Sequence, residues 1–360
     1  MAFDEQIFAI QAYGGISRMF AELANAFVTD FQEALDLLPI NAPVVNRYLL
    51  DNARLRAHLQ VTASPHSYRA LAHYFSHTRP NMHANVVHNT FYLPHGLAGN
   101  PGAKRVVTIH DMIPEMMPQT RRRLDFLTLK RRYVDRADHI ICVSEATRSD
   151  LIRCYGLPNA PVTVVHHGVD PRFQPGVHAI ASLPARYVLF VGNRSQYKDA
   201  KVLMQAFANI ADQYADLTLL FVGGGPFTRS EATLLDQLKL GARTIQQDLS
   251  DPDMPNAYAN AELFVFPSRF EGFGLPALEA MASGAPTILA RSTSLPEVGG
   301  DAALYFEPGD VDDLTQQMLR GLSDELLRLQ LRNSGRTRAG EFTWRSAAQQ
   351  LLDVYESSLS

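Results

Sequence analysis

Short apolar runs alternate with longer amphipathic stretches along most of this chain. In the first half, Val86-Val87-His88, Arg105 to Ile109, His139 to Val143 and Val162 to Val165 are short and strand-like, with helical segments between several of them. The alternation restarts with a strand at Tyr187 to Val191. A helix follows with Val202, Leu203, Ala206, Phe207 and Ile210 on one face, then a strand from Leu217 to Val222 that ends at Gly223-Gly224-Gly225. Two such series predict two open parallel α/β sheets. Ahead of the first, Phe20, Leu23, Ala24 and Phe27 recur at helical spacing behind Gly14-Gly15, and any strand before those glycines is clipped. From Thr29 to Pro80 the pattern is weak. Asp170 to Gly176 reads as an interdomain connection. Asp310 is a good helix cap, with Asp313 placed for a capping-box-like start, and a final helix runs from about Trp344 to Leu359.

The stretch Glu262 to Gly300 has the sharpest local pattern. Leu263 to Phe266 is a buried strand, Pro267 to Gly274 a loop, Pro276 a residue suited to a first helical turn, Gly284 a helix stop, and Pro286 to Ala290 the next strand. In parallel sheets such a loop lies at the carboxyl edge, where ligands bind. Glu271 and Glu279 bracket the loop and helix. A helical rise of 1.5 Å per residue would hold them about 12 Å apart, whereas glycosidase carboxyl pairs need roughly 5 to 9.5 Å. The spacing therefore suits two contacts on one extended ligand better than acid/base hydrolysis. Gly272 to Ala277 also matches a relaxed dinucleotide fingerprint, but it comes late and lacks a well-placed acid about 20 residues on.

Composition adds limits. A chain of 360 residues favours two domains, and 46% hydrophobic with 19% charged residues is ordinary for a globular protein. A net charge of −4 argues against a general nucleic-acid binder. Cys142 and Cys154 give neither a disulfide framework nor metal spacing, and Cys142 reads as a reduced core residue. No apolar run is long enough to span a bilayer and no signal-peptide pattern opens the chain, so a cytoplasmic location is expected. The basic segment from Arg121-Arg122-Arg123 to Lys130-Arg131-Arg132 reads as a solvated surface helix. The alternative is peripheral docking on anionic lipid or a lipid-linked acceptor.

Candidate chemistry gathers at strand ends. Arg194 and Lys198 follow the strand Tyr187 to Val191, where phosphate is commonly recognised, and two fixed cations can neutralise a diphosphate leaving group. Alone they are as readily a pair of surface bases. His110 ends the strand Val106 to Ile109; it can meet a substrate or cap the strand, with Asp111 a possible orienting partner. Gly14-Gly15 ahead of a helix lets backbone amides approach an anion, or is a plain turn. His88 and His95 read as structural or acceptor-side residues. Walker, serine-elbow and paired-histidine zinc motifs are lacking, and Trp344 is read as packing rather than a sugar platform.

FPSRFEGFGLPALEAMASGAPTILARSTSLPEVGGDAALYFEPGD strongly resembles the donor-binding region of retaining family-4 glycosyltransferases of the GT-B fold. QIFAIQAYGGISRMF, VVTIHDMIPEMMP, ADHIICVSEATRSDL, VVHHGVDPRF and VGNRSQYKD extend the resemblance almost end to end. GGISR and IHD are shared with bacterial mannosyl- and rhamnosyltransferase-like enzymes of polysaccharide assembly. The resemblance implies two Rossmann-like doubly wound domains facing a cleft: residues 1–172 joined by the helix 344–360, and residues 185–343. It implies that Glu271 and the amides of Gly272, Phe273, Gly274 and Leu275 hold the donor sugar. Glu279 would bind the ribose, and Arg194 and Lys198 the diphosphate. Gly14-Gly15 would approach the diphosphate from the other domain, and His110 would contact the transferring sugar.

The implied reaction moves a sugar from a nucleoside diphosphate donor, GDP-mannose by subfamily, to a glycan or polyprenyl-linked acceptor. Configuration is retained, attack is front-face, and neither a metal nor a cofactor is expected. A phosphorylase, a sugar-nucleotide epimerase and a non-catalytic sugar binder are the alternatives. Three positions depart from the family pattern: His167 and Asp199 stand where asparagine is usual, and Asn193 stands where many relatives carry the arginine.

Overall fold

The computed structural model describes residues 1–40, 42–64, 84–98, 102–117, 124–175 and 182–360. Arg121-Arg122-Arg123, Gly176 and residues 65–80 of the weakly patterned stretch lie outside these, as does the side chain of His95. The chain divides into two compact units, Met1–Gly168 with Thr343–Ser360, and Val169–Phe342.

The first unit contains β1 (Ala2–Phe3), β2 (Pro43–Val44), β3 (Thr62–Ala63), β4 (Val86–Asn89), β5 (Lys104–Ile109), β6 (His139–Cys142) and β7 (Val162–Val164). Among the described residues its main sheet has the order β1-β4-β5-β6-β7, with every neighbour parallel, while β2 and β3 pair separately. The helix Gly15–Asp30 buries the predicted face, Phe20, Leu23, Ala24 and Phe27. Phe20 and Phe27 pack against Phe3 of β1 at ring distances of 5.2 and 6.2 Å. The helix Trp344–Leu359 starts on a Thr343 cap and lies against Gly15–Asp30 and β5. Its Tyr355 hydroxyl meets His88 Nδ1 at 2.7 Å, and the other ring nitrogen of His88 meets Thr108 Oγ1 at 2.7 Å. His88 is thus committed to holding the last helix on the sheet. Trp344 is buried beside His167, as packing requires. Cys142 is buried and its thiol is pushed up to about 12 by that burial.

Two features of this unit are not signalled by periodicity. A helix, Gln6–Ile10, intervenes between the two-residue β1 and the glycines. Beside it the buried Asp4 ties the end of β1 to the end of β4, accepting from Asn89 Nδ2 at 2.7 Å, Thr90 N at 2.9 Å, and the Thr90 hydroxyl and Gln6 side chain. Burial pushes the Asp4 carboxyl up, Glu5 adds to this, and the Asn89 and Thr90 donors oppose it. The basic helix, Leu124–Asp135 in its described part, is not solvated all round. Lys130 lies on the same face as Phe126 and Tyr133, four and three residues away, and turns inward with them. Among the described residues, no helix is long and apolar enough to cross a membrane.

The second unit holds β8 (Tyr187–Val191), β9 (Thr218–Val222), β10 (Thr244–Gln247), β11 (Leu263–Phe266), β12 (Thr287–Ala290) and β13 (Leu304–Phe306). Its sheet is parallel throughout, in the order β10-β9-β8-β11-β12-β13. Counted within the unit that is 3-2-1-4-5-6, the doubly wound order whose direction reverses between its first and fourth strands. Here the reversal falls between β8 and β11, paired through Val188 and Leu263. The central strands are apolar along their length and buried on both faces, as parallel sheets require. The supposed connection at Asp170 packs into this unit: Arg172 pairs with Asp170 and Asp251, and Phe173 meets the Tyr258 ring at 6.0 Å. Asp310 caps its helix by accepting from the amides of Asp312 and Asp313, but Asp313 turns to the Glu307 amide instead of closing a box. A reciprocal capping box stands at Thr228 and Glu231.

Burial pulls His88, His110 and His167 down to about 3, with His88 and Lys130 adding to the effect at His110, and His110 and His166 adding to it at His167. The unfolded histidines titrate near 6.5, so between the two values the unfolded chain binds protons that the native first unit refuses. Stability from these groups is fully present above about pH 6.5 and is lost as pH falls, at up to about 1.4 kcal/mol per pH unit for each. Melts at pH 7, 6 and 5 are expected to show a falling Tm, and His167→Asn a shallower fall. A Tm independent of pH over this range would contradict the neutral-histidine core.

Candidate active site

Because β8 and β11 are neighbours at the reversal, the loops leaving their carboxyl ends lie side by side. Lys198 comes from the first loop and Glu271 from the second. Lys198 Nζ donates to Glu271 Oε1 at 2.5 Å, with the two side chains only 12% and 10% exposed. The ammonium also lies 4.8 Å from the centroid of the Phe266 ring and 5.4 Å from that of Tyr197, within cation–π reach. The two charges compensate each other's lost hydration.

The glutamate loop is held by polar residues that the motif reading passed over. Glu271 N donates to Thr293 Oγ1 at 2.9 Å, and Ser294 Oγ donates to the carbonyls of Glu271 and Phe273 at 3.1 and 2.8 Å. Ser292 Oγ donates to the Ser268 carbonyl at 2.7 Å. The Ser292-Thr293-Ser294 run after β12 therefore staples the backbone of the loop after β11. Gly274 caps the helix Leu275–Ala282 at φ 106°, and a Cβ there would come within 2.8 Å of Leu295 Cδ2. Gly272, Phe273 and Leu275 complete this turn, and Pro276 is the second helical residue. Glu279, on that helix, is buried and accepts from the Tyr258 hydroxyl at 3.0 Å. Asp199 adopts a left-handed φ of 49° and its carboxylate pairs with Arg269, clipping the two loops together in a way a neutral asparagine would not.

Arg194 is placed differently from the diphosphate role inferred for it. Its Nε donates to Glu231 at 2.8 Å, Nη1 to the Gly223 carbonyl at 3.1 Å, and Nη2 to the carbonyls of Gly225 and Pro226 at 2.8 and 2.9 Å. The guanidinium is buried 4.8 Å from the centroid of the Phe227 ring. Three of these hydrogen bonds close the triple-glycine turn around it and the fourth ties it to Glu231, so in this arrangement Arg194 is a brace and Lys198 is the cation beside Glu271.

In the first unit, Gly14 caps the helix Gly15–Asp30 and accepts from Arg18 N and Ser17 Oγ. The Gln11 side chain folds over it, accepting from Ser17 N at 3.0 Å, and a Cβ on Gly14 would overlap that side chain at 2.4 to 2.6 Å. His110 follows β5, buried between Phe20 and Tyr92 at ring distances of 5.8 and 6.4 Å. Among the described residues neither ring nitrogen has a hydrogen-bond partner of good geometry, although the Thr90 backbone is near enough to pull against the burial effect. A buried, neutral, unpaired imidazole costs about 1–3 kcal/mol, and a ligand can recover it. Asp111 does not orient this ring through its carboxylate, since Oδ1 accepts from the Ile113 amide at 3.0 Å.

Ligand-facing loops at the reversal of a doubly wound sheet are the mark of a nucleotide-binding α/β protein. Residues 181–338 match the family model described as glycosyl transferases group 1, and residues 13–173 match that of glycosyltransferase family 4. O-antigen chain mannosyltransferase B of Escherichia coli is 32% identical over 284 residues, 74% of this chain and 72% of that one. The MMP alpha-(1->4)-mannosyltransferase of Mycolicibacterium hassiacum is 31% identical over 301 residues, 77% and 71% of the two chains. Among solved structures, HepE of Anabaena in complex with UDP and glucose gives a TM-score of 0.77 over 99% of both chains at 17% identity, a likeness of fold. The chain belongs to the family-4 glycosyltransferases and has their GT-B fold.

The Arg194 brace has a measurable consequence. Arg194→Lys keeps a charge but makes at most three of the four hydrogen bonds in a different geometry, and is expected to lower stability by about 2–4 kcal/mol in denaturant unfolding. Donor affinity of the folded fraction should change less than in Lys198→Met. Unchanged stability with lost donor binding would return Arg194 to the diphosphate.

Proposed function

We propose that this chain transfers mannose from GDP-mannose to a hydroxyl of a glycan or polyprenyl-linked acceptor in polysaccharide assembly, retaining the anomeric configuration. The observation that carries the reading is the Lys198–Glu271 pair at the sheet reversal. The two named relatives support the sugar, since both are mannosyltransferases. In the proposed complex, Lys198 turns to the diphosphate and Glu271, with the amides of Gly272 to Leu275, to the sugar hydroxyls. Glu279 takes the ribose, and His110 contacts the transferring sugar. The acceptor oxygen attacks the anomeric carbon on the face that the leaving phosphate occupies. The bond from that carbon to the phosphate oxygen breaks, and the phosphate takes the acceptor's proton. Lys198 lowers the barrier because negative charge grows on the diphosphate as that bond lengthens. We assign that charge to a protein cation, with no metal required. A polyprenyl-linked acceptor would bring the protein to a membrane surface as a peripheral enzyme.

A panel of GDP- and UDP-sugars, scored by thermal shift and by turnover, tests this. GDP-mannose at 100 times its Kd should add about 2.7 kcal/mol of stability. Glu271→Ala and Lys198→Ala should each lower kcat/KM by roughly 100-fold or more while the protein stays folded. Protection by UDP-sugars alone would overturn the donor assignment, and near-normal transfer in both variants would overturn the site. Donor conversion without an acceptor would favour an epimerase, and phosphate-dependent glycan cleavage a phosphorylase.

A further inference from the structure

The turn that carries His110 is anchored by a buried cation. Lys130, on the helix Leu124–Asp135, has a side chain only 2% exposed. Its ammonium donates to the carbonyl of Asp111, the residue next to His110, and pairs with Glu115 Oε2 at 3.1 Å. The second oxygen of Glu115 accepts from the Tyr155 hydroxyl at 2.6 Å, so a third element, the helix Glu145–Tyr155, fixes the carboxylate. The ammonium also lies 5.9 Å from the centroid of the Tyr92 ring. Tyr92 in turn donates to the Thr108 carbonyl in β5 at 2.6 Å and flanks the His110 ring.

Stability of the ion pair alone is a weak account of this arrangement. A buried ion pair can generally be replaced by apolar groups of similar volume at little or no cost. The surroundings, Phe126, Tyr133 and Tyr92, are those of an ordinary apolar core. What an apolar side chain cannot do is fix one carbonyl in one place, and the carbonyl fixed here is that of Asp111, in the peptide one beyond the one that joins His110 to Asp111. Among the described residues neither His110 ring nitrogen has a hydrogen bond of good geometry and only the Thr90 backbone is near, so its direction depends largely on its backbone and on Phe20 and Tyr92.

We propose that Lys130, with its charge matched by Glu115 and Glu115 held by Tyr155, is a positioning residue that aims His110 at the sugar being transferred. This rests on the reading that His110 contacts that sugar. The experiment combines Lys130→Met/Glu115→Leu, which removes both charges together, and Tyr155→Phe, which removes one hydroxyl and leaves the pair intact. Each is made in the wild-type and His110→Ala backgrounds.

The double variant should fold, with Tm lowered because the Asp111 carbonyl and the Tyr155 hydroxyl lose their partners. Its kcat should fall about 10- to 100-fold, the scale of a misplaced reacting group, with donor KM changed less than about 3-fold. Tyr155→Phe should show a smaller loss in the same direction. In the His110→Ala background both losses should shrink to less than about 3-fold, because residues acting through one group are not additive. A purely structural pair would instead leave the kcat of the folded protein near wild type, or add its full effect in either background. Wild-type kcat in both variants, or full additivity with His110→Ala, overturns the proposal while leaving His110 in place. Near-normal transfer by His110→Ala alone overturns the His110 reading and the proposal with it. If the double variant does not fold, the coupling of Tyr155→Phe to His110→Ala decides by the same criterion.

Discussion

An ammonium and a carboxylate share a small, largely dry space at the carboxyl edge of the second sheet, and much of that unit serves to keep them there. Taking either ion out of water costs several kcal/mol. The Lys198–Glu271 contact and the face of Phe266 offset part of that cost. The rest of the arrangement is positional. The buried strands β8 and β11 set the two loops side by side, Ser292, Thr293 and Ser294 fix the glutamate backbone, and Asp199 with Arg269 ties loop to loop. A sugar diphosphate can take over both halves of the ion pair, since it offers anionic oxygens to the lysine and hydroxyl donors to the carboxylate. Phosphorylated sugars and nucleotides present both groups a few ångströms apart, and it is to that broad class that this contact points.

The first unit handles burial by the opposite means. Its polar interior is kept neutral where possible, with His88, His110 and His167 held uncharged, or saturated with donors, as at Asp4. Lys130 is instead a buried ammonium paired with Glu115 in an apolar setting, and it donates to the backbone carbonyl of Asp111 beside His110. A neutral imidazole offers one donor and one acceptor, which suits a hydroxyl group.

How far the chain could be read from its sequence depended on the range of the interactions. The stripe Phe20, Leu23, Ala24, Phe27, the alternating strands, and the last helix from Trp344 are local or periodic, and they stand out in the pattern. The loop carrying Glu271 and the helix carrying Glu279 were legible for the same reason. The bracing contacts of Arg194 were not, because the carbonyls it meets come from residues 223 to 226, a loop defined only once β8 and β9 are paired. Asp4 leaves no signal in the pattern because Asn89 and Thr90 lie more than 80 residues away, and Ser292 to Ser294 leave none because polar loop residues carry no period. Lys130 did leave a trace. It occupies the apolar face set by Phe126 and Tyr133, and only its basic neighbours made that position look solvated.

If the Lys198–Glu271 pair opens to receive a nucleotide sugar, a crystal structure of the protein with an intact, non-transferable analogue of GDP-mannose will show it. The Lys198 ammonium is expected on the diphosphate, the Glu271 carboxylate on sugar hydroxyls, and the two side chains parted. A donor bound elsewhere with the pair still in contact would contradict this expectation.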